Sequence, residues 1–290
     1  MNIDPACVEC IINQSKRVAD AIHADDALTS RIVQAVEKMA PDFSFEQSPP
    51  EVAVAVYEKM ARIAGKEDLY DEVKKISTQK AQAFVPYLEK EITKSDEPLL
   101  TATKIAVAGN VIDLAAEYTF DLHEELEKIF HTSFAVNDFD RLQERLSQSS
   151  TVLYIADNAG EHIFDRIYVQ TILSLYPNIK LYYMTRGNAI INDVTYEEAE
   201  KAGFDELCYL VNSGVDTPGF VYARANRESQ ELFDTVDMII TKGMGNYECL
   251  SDVRRKNLFY LLKIKCNVVA RSLNKEVGDI ICKESEPFNR

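Results

Sequence analysis

Thr151-Val152-Leu153-Tyr154-Ile155-Ala156-Asp157-Asn158-Ala159-Gly160-Glu161 is a short apolar run that ends in a carboxylate, an amide, a glycine and a second carboxylate. The run has the length of a buried parallel strand. Its polar tail is what lies at a strand's carboxyl end when a ligand binds there. The same grammar repeats downstream. Residues 179–184, 206–211, 236–241 and 267–270 read as further strands, with helical stretches over 160–175, 195–202 and 228–233 between them. The segment 258–264 fits helix and strand equally. This alternation predicts a Rossmann-like α/β class over 149–290, a mostly parallel sheet with helices on both faces.

Upstream the period changes from strand to helix. Val8, Ile11, Ile12, Val18, Ala19 and Ile22 recur at three- and four-residue steps, and a second run from Leu28 through Ile32, Val36 and Met39 stops at Pro41. Ser48, Pro49, Pro50 and Glu51 spell a capping box with proline at the first helical position, and Gly65 closes that helix. Further helical runs cover 69–92, with a kink or break expected at Pro86, then 99–108, 122–130 and 139–146. Residues 1–148 are therefore expected to form an all-helical domain that covers the cleft of the domain at 149–290. A chain of 290 residues fits such a division, at about 150 residues per domain.

Lys and Arg number 32 against 47 Asp and Glu, a net charge of −15 that repels nucleic acid and anionic membranes. A small anionic substrate stays compatible, because a metal ion and a few cationic side chains reverse the sign inside one cleft. No apolar stretch reaches the roughly 18 residues of a membrane span, and Asp4 and Glu9 stand where a signal peptide is apolar, so the expected location is cytoplasmic. Six cysteines are too sparse for a disulfide framework. Cys7 and Cys10 are spaced like half of a metal site, but the other four are scattered. Of the four histidines, His162 alone lies near the polar strand ends.

The strand exits are polar and specific. Asp157, Asn158, Gly160 and Glu161 come after the first strand; Arg186, Gly187, Asn192 and Asp193 after the second; Lys242, Gly243, Met244, Gly245 and Asn246 after the fourth. Asp157, Asn158 and Asp193 offer oxygen donors without His or Cys, which suits Mg²⁺ or Mn²⁺ better than Zn²⁺. Each alone would more often cap a helix. Their convergence with Arg186 and Lys242 on one sheet edge favours a ligand site. Gly243 and Gly245 beside Lys242 read as a phosphate-cradling turn or a tight strand exit. A Walker loop and a Gly-x-Gly-x-x-Gly turn are both absent, which disfavours a nucleotide or adenosyl cofactor held in the Rossmann manner. Gly109, Asn110 and Asp113 interrupt a helix, either as its end or as polar groups reaching over the cleft.

Taken together, Cys7-x-x-Cys10, Gly109-Asn110-x-x-Asp113, Asp157-Asn158-Ala159-Gly160-Glu161, Arg186-Gly187 with Asn192-Asp193-Val194-Thr195, and Lys242-Gly243-x-Gly245-Asn246-Tyr247-Glu248 resemble the DUF89 family, the ARMT1-like metal-dependent damage-control phosphatases. The Cys-x-x-Cys start resembles its compact prokaryotic branch. The resemblance implies hydrolysis of small phosphorylated metabolites such as sugar phosphates, with Mn²⁺, Co²⁺, Ni²⁺ or Mg²⁺ as cofactor. It places the metal on Asp157, Asn158 and Asp193. Phosphate and substrate contacts fall on Arg186 and Lys242, surrounded by Asn110, Asp113, Glu161 and Asn246, with Gly243 and Gly245 lending backbone N–H groups. Asp157, Asp193 and Lys242 would carry the reaction. Met244 stands where that family more often has Gln. The expected partner is a small phosphorylated metabolite, with neither nucleic acid nor membrane, and the oligomeric state stays open. Two rivals are an S-adenosylmethionine-dependent carboxyl methyltransferase and a non-enzymatic protein holding Fe or Zn on Cys7 and Cys10. Metal retention in Cys7→Ser/Cys10→Ser against Asp157→Ala separates the cysteine reading from the phosphatase.

Overall fold

A computed structural model of the chain describes residues 1–111 and 122–285. Six helices come first: α1 (Pro5–Ala21), α2 (Asp26–Met39), α3 (Pro49–Ala64), α4 (Asp71–Lys94), α5 (Pro98–Val111) and α6 (Leu122–His131). The α3 entry obeys its sequence signal, with the Ser48 N–H donating to Glu51 Oε2 at 2.8 Å and Gly65 turning left-handed at φ 65°. Pro86 does not break α4, which runs unbroken through it. None of these helices is long and apolar enough to cross a membrane, nor is any other among the described residues.

The second part holds α7 (Phe139–Gln148), α8 (Glu161–Leu175), α9 (Tyr196–Lys201), α10 (Arg227–Thr235), α11 (Gly243–Leu250) and α12 (Asn267–Leu273) around a seven-stranded sheet. Its strands are β1 (Val136–Asn137), β2 (Thr151–Ile155), β3 (Lys180–Thr185), β4 (Tyr209–Asn212), β5 (Met238–Lys242), β6 (Leu258–Lys263) and β7 (Ile280–Glu284), in the order β1-β7-β6-β5-β2-β3-β4. All neighbours are parallel except β6 and β7. The sheet thus reaches upstream of residue 149 through β1, which pairs with β7.

Alternation along the strands sends side chains into two cores. On β2, Val152 and Tyr154 join helices α5, α7 and α8 on one face, whereas Leu153 and Ile155 join α10, α11 and α12 on the other. Helices α1 to α3 close over a separate core that also takes Ile190 and Val268 from the α/β part. Helices α4 to α6 lie on α8.

Two sequence expectations are corrected. The segment 267–270, expected as a strand, forms α12: Cys266 caps it, with its Sγ accepting from Val269 N at 3.5 Å, and Val269, Ala270 and Leu273 are buried on one helical face. Tertiary burial overrides the strand preference of two adjacent valines. The expected strand at 206–211 begins later, at Tyr209. The ambiguous segment 258–264 is β6, buried on both faces over Leu258–Leu262.

After β4 the chain crosses back past β2 to form β5, so the strand order reverses between β2 and β5. The carboxyl ends of these two strands are where an open α/β sheet leaves a crevice.

Candidate active site

Register alone brings the first pair together. Ile155 lies opposite Thr241, so two residues further Asp157 faces Gly243. A Cβ on Gly243 would stand 1.9 Å from Asp157 Oδ2, and its φ of 78° is left-handed, so only glycine leaves room for that carboxylate. Gly245 answers a different need: a Cβ there would meet the Pro218 carbonyl oxygen at 2.1 Å, which makes it a close-packing position.

Asp193 arrives on a segment threaded between the exits of β2 and β3. Ala159 N donates to Asn192 O at 2.8 Å, Val194 N to Asp157 O at 2.8 Å and Arg186 N to Val194 O at 3.1 Å. Asn158 and Asp193 pair as an isolated antiparallel bridge. The turn into this segment uses Ile191 at φ 48°, a left-handed conformation that costs a β-branched residue on the order of 1–3 kcal/mol. Neither aspartate caps a helix. The cap of α8 is Gly160, and α9 carries its own capping box on Thr195 and Glu198. Helix capping therefore leaves both carboxylates to the rim.

Arg186 joins them. Its Nε donates to Asp193 Oδ2 at 2.7 Å, while Nη2 lies 3.7 Å from Asp157 Oδ1, beyond hydrogen-bond reach. The guanidinium is 1% exposed and Nη2 has no hydrogen-bond partner among the described residues. An unpaired buried N–H in a native fold calls for a ligand acceptor. Asn158 Nδ2 donates to Asp157 Oδ2 at 2.9 Å and to Glu161 Oε2 at 3.3 Å, which turns its amide oxygen away from both.

Beneath this rim sits a second charged layer. Lys242 is fully buried, and its ammonium donates to Ala106 O at 2.7 Å, to Asp165 Oδ1 at 2.7 Å and to Glu161 Oε1. Those three bonds use its three protons. Asp165 in turn accepts from Tyr154 OH at 2.7 Å and Tyr183 OH at 3.1 Å. Asn246 holds the strand exits together, donating to Ala156 O at 3.0 Å and Lys242 O at 2.6 Å and accepting from Phe220 N at 2.8 Å. Asn110 occupies the penultimate position of α5, and Asp113 lies outside the described residues. Asp165, Tyr154 and Tyr183 were not among the expected site residues. The spacing of Asp165 four residues after Glu161 on a helix was the available signal, since it puts both on one face.

Burial and the neighbouring Asp193 and Glu161 push the Asp157 carboxyl well above its ordinary range, against the pull of Arg186. Burial also pushes Asp193 and Asp165 up to about 6, with Arg186 and Lys242 respectively opposing it. Four carboxyl groups thus face two cationic side chains, and the raised values show the buried volume resisting their full ionisation. Asp193 contributes stability that is present below its ordinary value of 3.8 and lost as pH rises through about 6. In chelator-treated protein, the stability of wild type relative to Asp193→Asn should fall by on the order of 3 kcal/mol between about pH 4 and pH 7. Urea titrations across that range check it, and a difference that does not vary with pH would contradict it.

His162 turns away from metal chemistry: its Nδ1 accepts from Gly160 N at 2.9 Å, and burial holds its imidazole down to about 4, so it is neutral. Cys7 is buried and Cys10 exposed, and burial raises both thiols above their ordinary value, keeping them protonated. Among the described residues no group of three or more His, Cys, Asp and Glu is placed to hold a metal ion. The donors at the rim are two carboxylates and one amide. A cavity of about 240 Å³ opens between α3 and the segment 188–191, lined by Tyr57, Leu69, Asn188, Ile190, Ile191 and Asp216 among others.

The family model of the damage-control phosphatase ARMT1-like domain matches residues 3–281. A protein of Pyrococcus horikoshii named damage-control phosphatase PH1575 is 31% identical over 288 residues, covering 99% of both chains. One from Archaeoglobus fulgidus, named damage-control phosphatase, is 31% identical over 292 residues and covers 99% of this chain and 100% of its own. The crystal structure of the Pyrococcus DUF89 protein superposes with a TM-score of 0.88 at 30% identity, across 99% of this chain and 100% of that one. With near-complete coverage in both sequence and fold, this chain belongs to the ARMT1-like damage-control phosphatase (DUF89) family.

Proposed function

We propose that this protein hydrolyses small phosphate monoesters, sugar phosphates first among them, with a divalent cation (Mn²⁺, Co²⁺, Ni²⁺ or Mg²⁺) held by Asp157, Asn158 and Asp193. The observation that carries this reading is the gathering of four buried carboxyl groups on two cationic side chains, with Arg186 Nη2 left without a hydrogen bond among the described residues. One dication balances the first, and a phosphoryl oxygen satisfies the second. The names of the relatives, damage-control phosphatases, support the same chemistry.

The donor set fits a hard cation, since it holds only oxygen ligands and its carboxylates strain against each other without one. Such an ion, when bound, supplies Lewis-acid polarisation of the phosphoryl group. The chain's own residues do the rest. Arg186, oriented by its Nε bond to Asp193, presents Nη2 to an equatorial phosphoryl oxygen and stabilises charge there. Lys242 acts from below, holding Glu161 and so the Asn158 amide that Glu161 accepts from. The alcohol portion of the ester is assigned to the 240 Å³ cavity, since four of its lining residues, Asn188 to Ile191, lie on the segment between Arg186 and Asp193. The six cysteines, all free, suit the reducing cytoplasm.

A screen of phosphate release over sugar phosphates, nucleotides and cofactor phosphates, each with and without Mn²⁺, Co²⁺, Ni²⁺ and Mg²⁺, tests the reading. Cation-dependent release from sugar phosphates, abolished by chelator, is the expected result. No release from any ester with any of the four ions overturns it.

A further inference from the structure

Lys74 lies in the helical part of the chain, in the first turns of α4, yet it is only 2% exposed. Its Nζ sits 2.6 Å from Asp68 Oδ2 and 2.8 Å from Glu198 Oε1, so it ties the α3–α4 connection to α9 of the α/β part. Glu198 is used at both ends. Its Oε2 accepts from Thr195 N and from Thr195 Oγ1, each at 2.8 Å. Thr195 in turn forms a bridge with Arg186, and the adjacent Val194 N–H holds Asp157 O. A chain of hydrogen bonds therefore leads from a buried lysine in one part of the molecule to the segment that carries Asp193 in the other.

We propose that Lys74 is a positioning residue: by gripping Glu198 it holds the segment 192–195 in register, so that the helical part fixes Asp193 against Asp157 and Arg186. The inference rests on the phosphatase reading for its consequence in turnover, but its structural content does not. Burial pushes the Glu198 carboxyl up, yet the charge and hydrogen bond of Lys74, joined by the two bonds from Thr195, outweigh it and hold the carboxyl below its ordinary value. That is the behaviour of a strut under electrostatic load. A lysine buried only to pair with Asp68 in its own connection would need no second partner on α9.

Hydrogen exchange of the full chain, followed by mass spectrometry over peptides spanning 188–198, reads the proposal without substrate or cation. In Lys74→Met, amide exchange at 192–195 should accelerate about tenfold while β2 exchanges as in wild type, and Lys74→Arg should restore protection. Glu198→Gln, which keeps the Thr195 cap acceptor but loosens the lysine, should accelerate the same amides and serves if Lys74→Met does not fold. In the phosphate-release assay, kcat of Lys74→Met should fall about tenfold with KM changed far less. Unchanged exchange at 192–195 in the folded variants overturns the proposal, and so does faster exchange with unaltered kcat. A wild type that releases no phosphate from any ester refutes the functional reading instead, and the exchange result then decides the strut alone.

Discussion

Asp157→Asn and Asp193→Asn are each expected to lower kcat/KM for cation-dependent phosphate release by roughly a thousandfold, while the cation-free chain becomes no less stable than wild type. The reason is the charge balance at the rim. Two carboxylates share one guanidinium there, and Asp157 is pushed up by its neighbours as well as by burial. Either single amide removes the repulsion and leaves one carboxylate opposite Arg186, so folding loses little even as the dication loses a charged donor. The double variant behaves differently. It strands Arg186, 1% exposed, without any charged partner at the rim, and that should cost about 3 kcal/mol or more. Urea unfolding in the presence of chelator and steady-state phosphate release measure both sides. An active single variant would remove the aspartates from the cation site, and a double variant as stable as the singles would refute the charge balance.

Most of this site is legible in the sequence, for a physical reason. Parallel strands end in one direction, so the residues after each apolar run collect on one edge, and Asp157, Arg186, Asp193 and Lys242 can be grouped from run boundaries alone. Membership in the edge does not fix depth, however. The sequence places Lys242 at a strand exit like the others, but the strand's final pleat turns it inward to Glu161 and Asp165, and nothing in local spacing distinguishes a rim lysine from one lying beneath it. The same limit hides Tyr154 and Tyr183. They read as apolar members of buried strands, and only their direct pairing across β2 and β3 aims both hydroxyls at Asp165. Lys74 is invisible for a third reason: its partner Glu198 is far along the chain, in another part of the fold, and tertiary contact alone brings them together. The misread 267–270 shows the complementary failure, a run too short for its period to be determined, decided by burial against β6 and β7 rather than by propensity.

The depth of Lys242 carries the second large expected effect. Lys242→Met removes the cation from a layer that keeps Glu161 and Asp165, both fully enclosed, and destabilisation of about 3–5 kcal/mol should follow. At about 2–4 °C per kcal/mol for a chain of this size, the melting temperature falls by roughly 10 °C. Neutralising the stranded acids should return much of the loss. Lys242→Met combined with Glu161→Gln and Asp165→Asn leaves no buried charge in that layer; of the hydroxyls of Tyr154 and Tyr183, one keeps an acceptor in the amide oxygen and the other can turn to accept from the amide N–H. Activity should not return with stability in the triple variant, since the Asn158 amide then loses the charged Glu161 acceptor and is held by Asp157 alone. Thermal and urea unfolding beside phosphate release separate the two. If Lys242 were instead a rim residue waiting for phosphate, Lys242→Met would lose turnover and keep its stability within about 1 kcal/mol, because an exposed ammonium has little to stabilise.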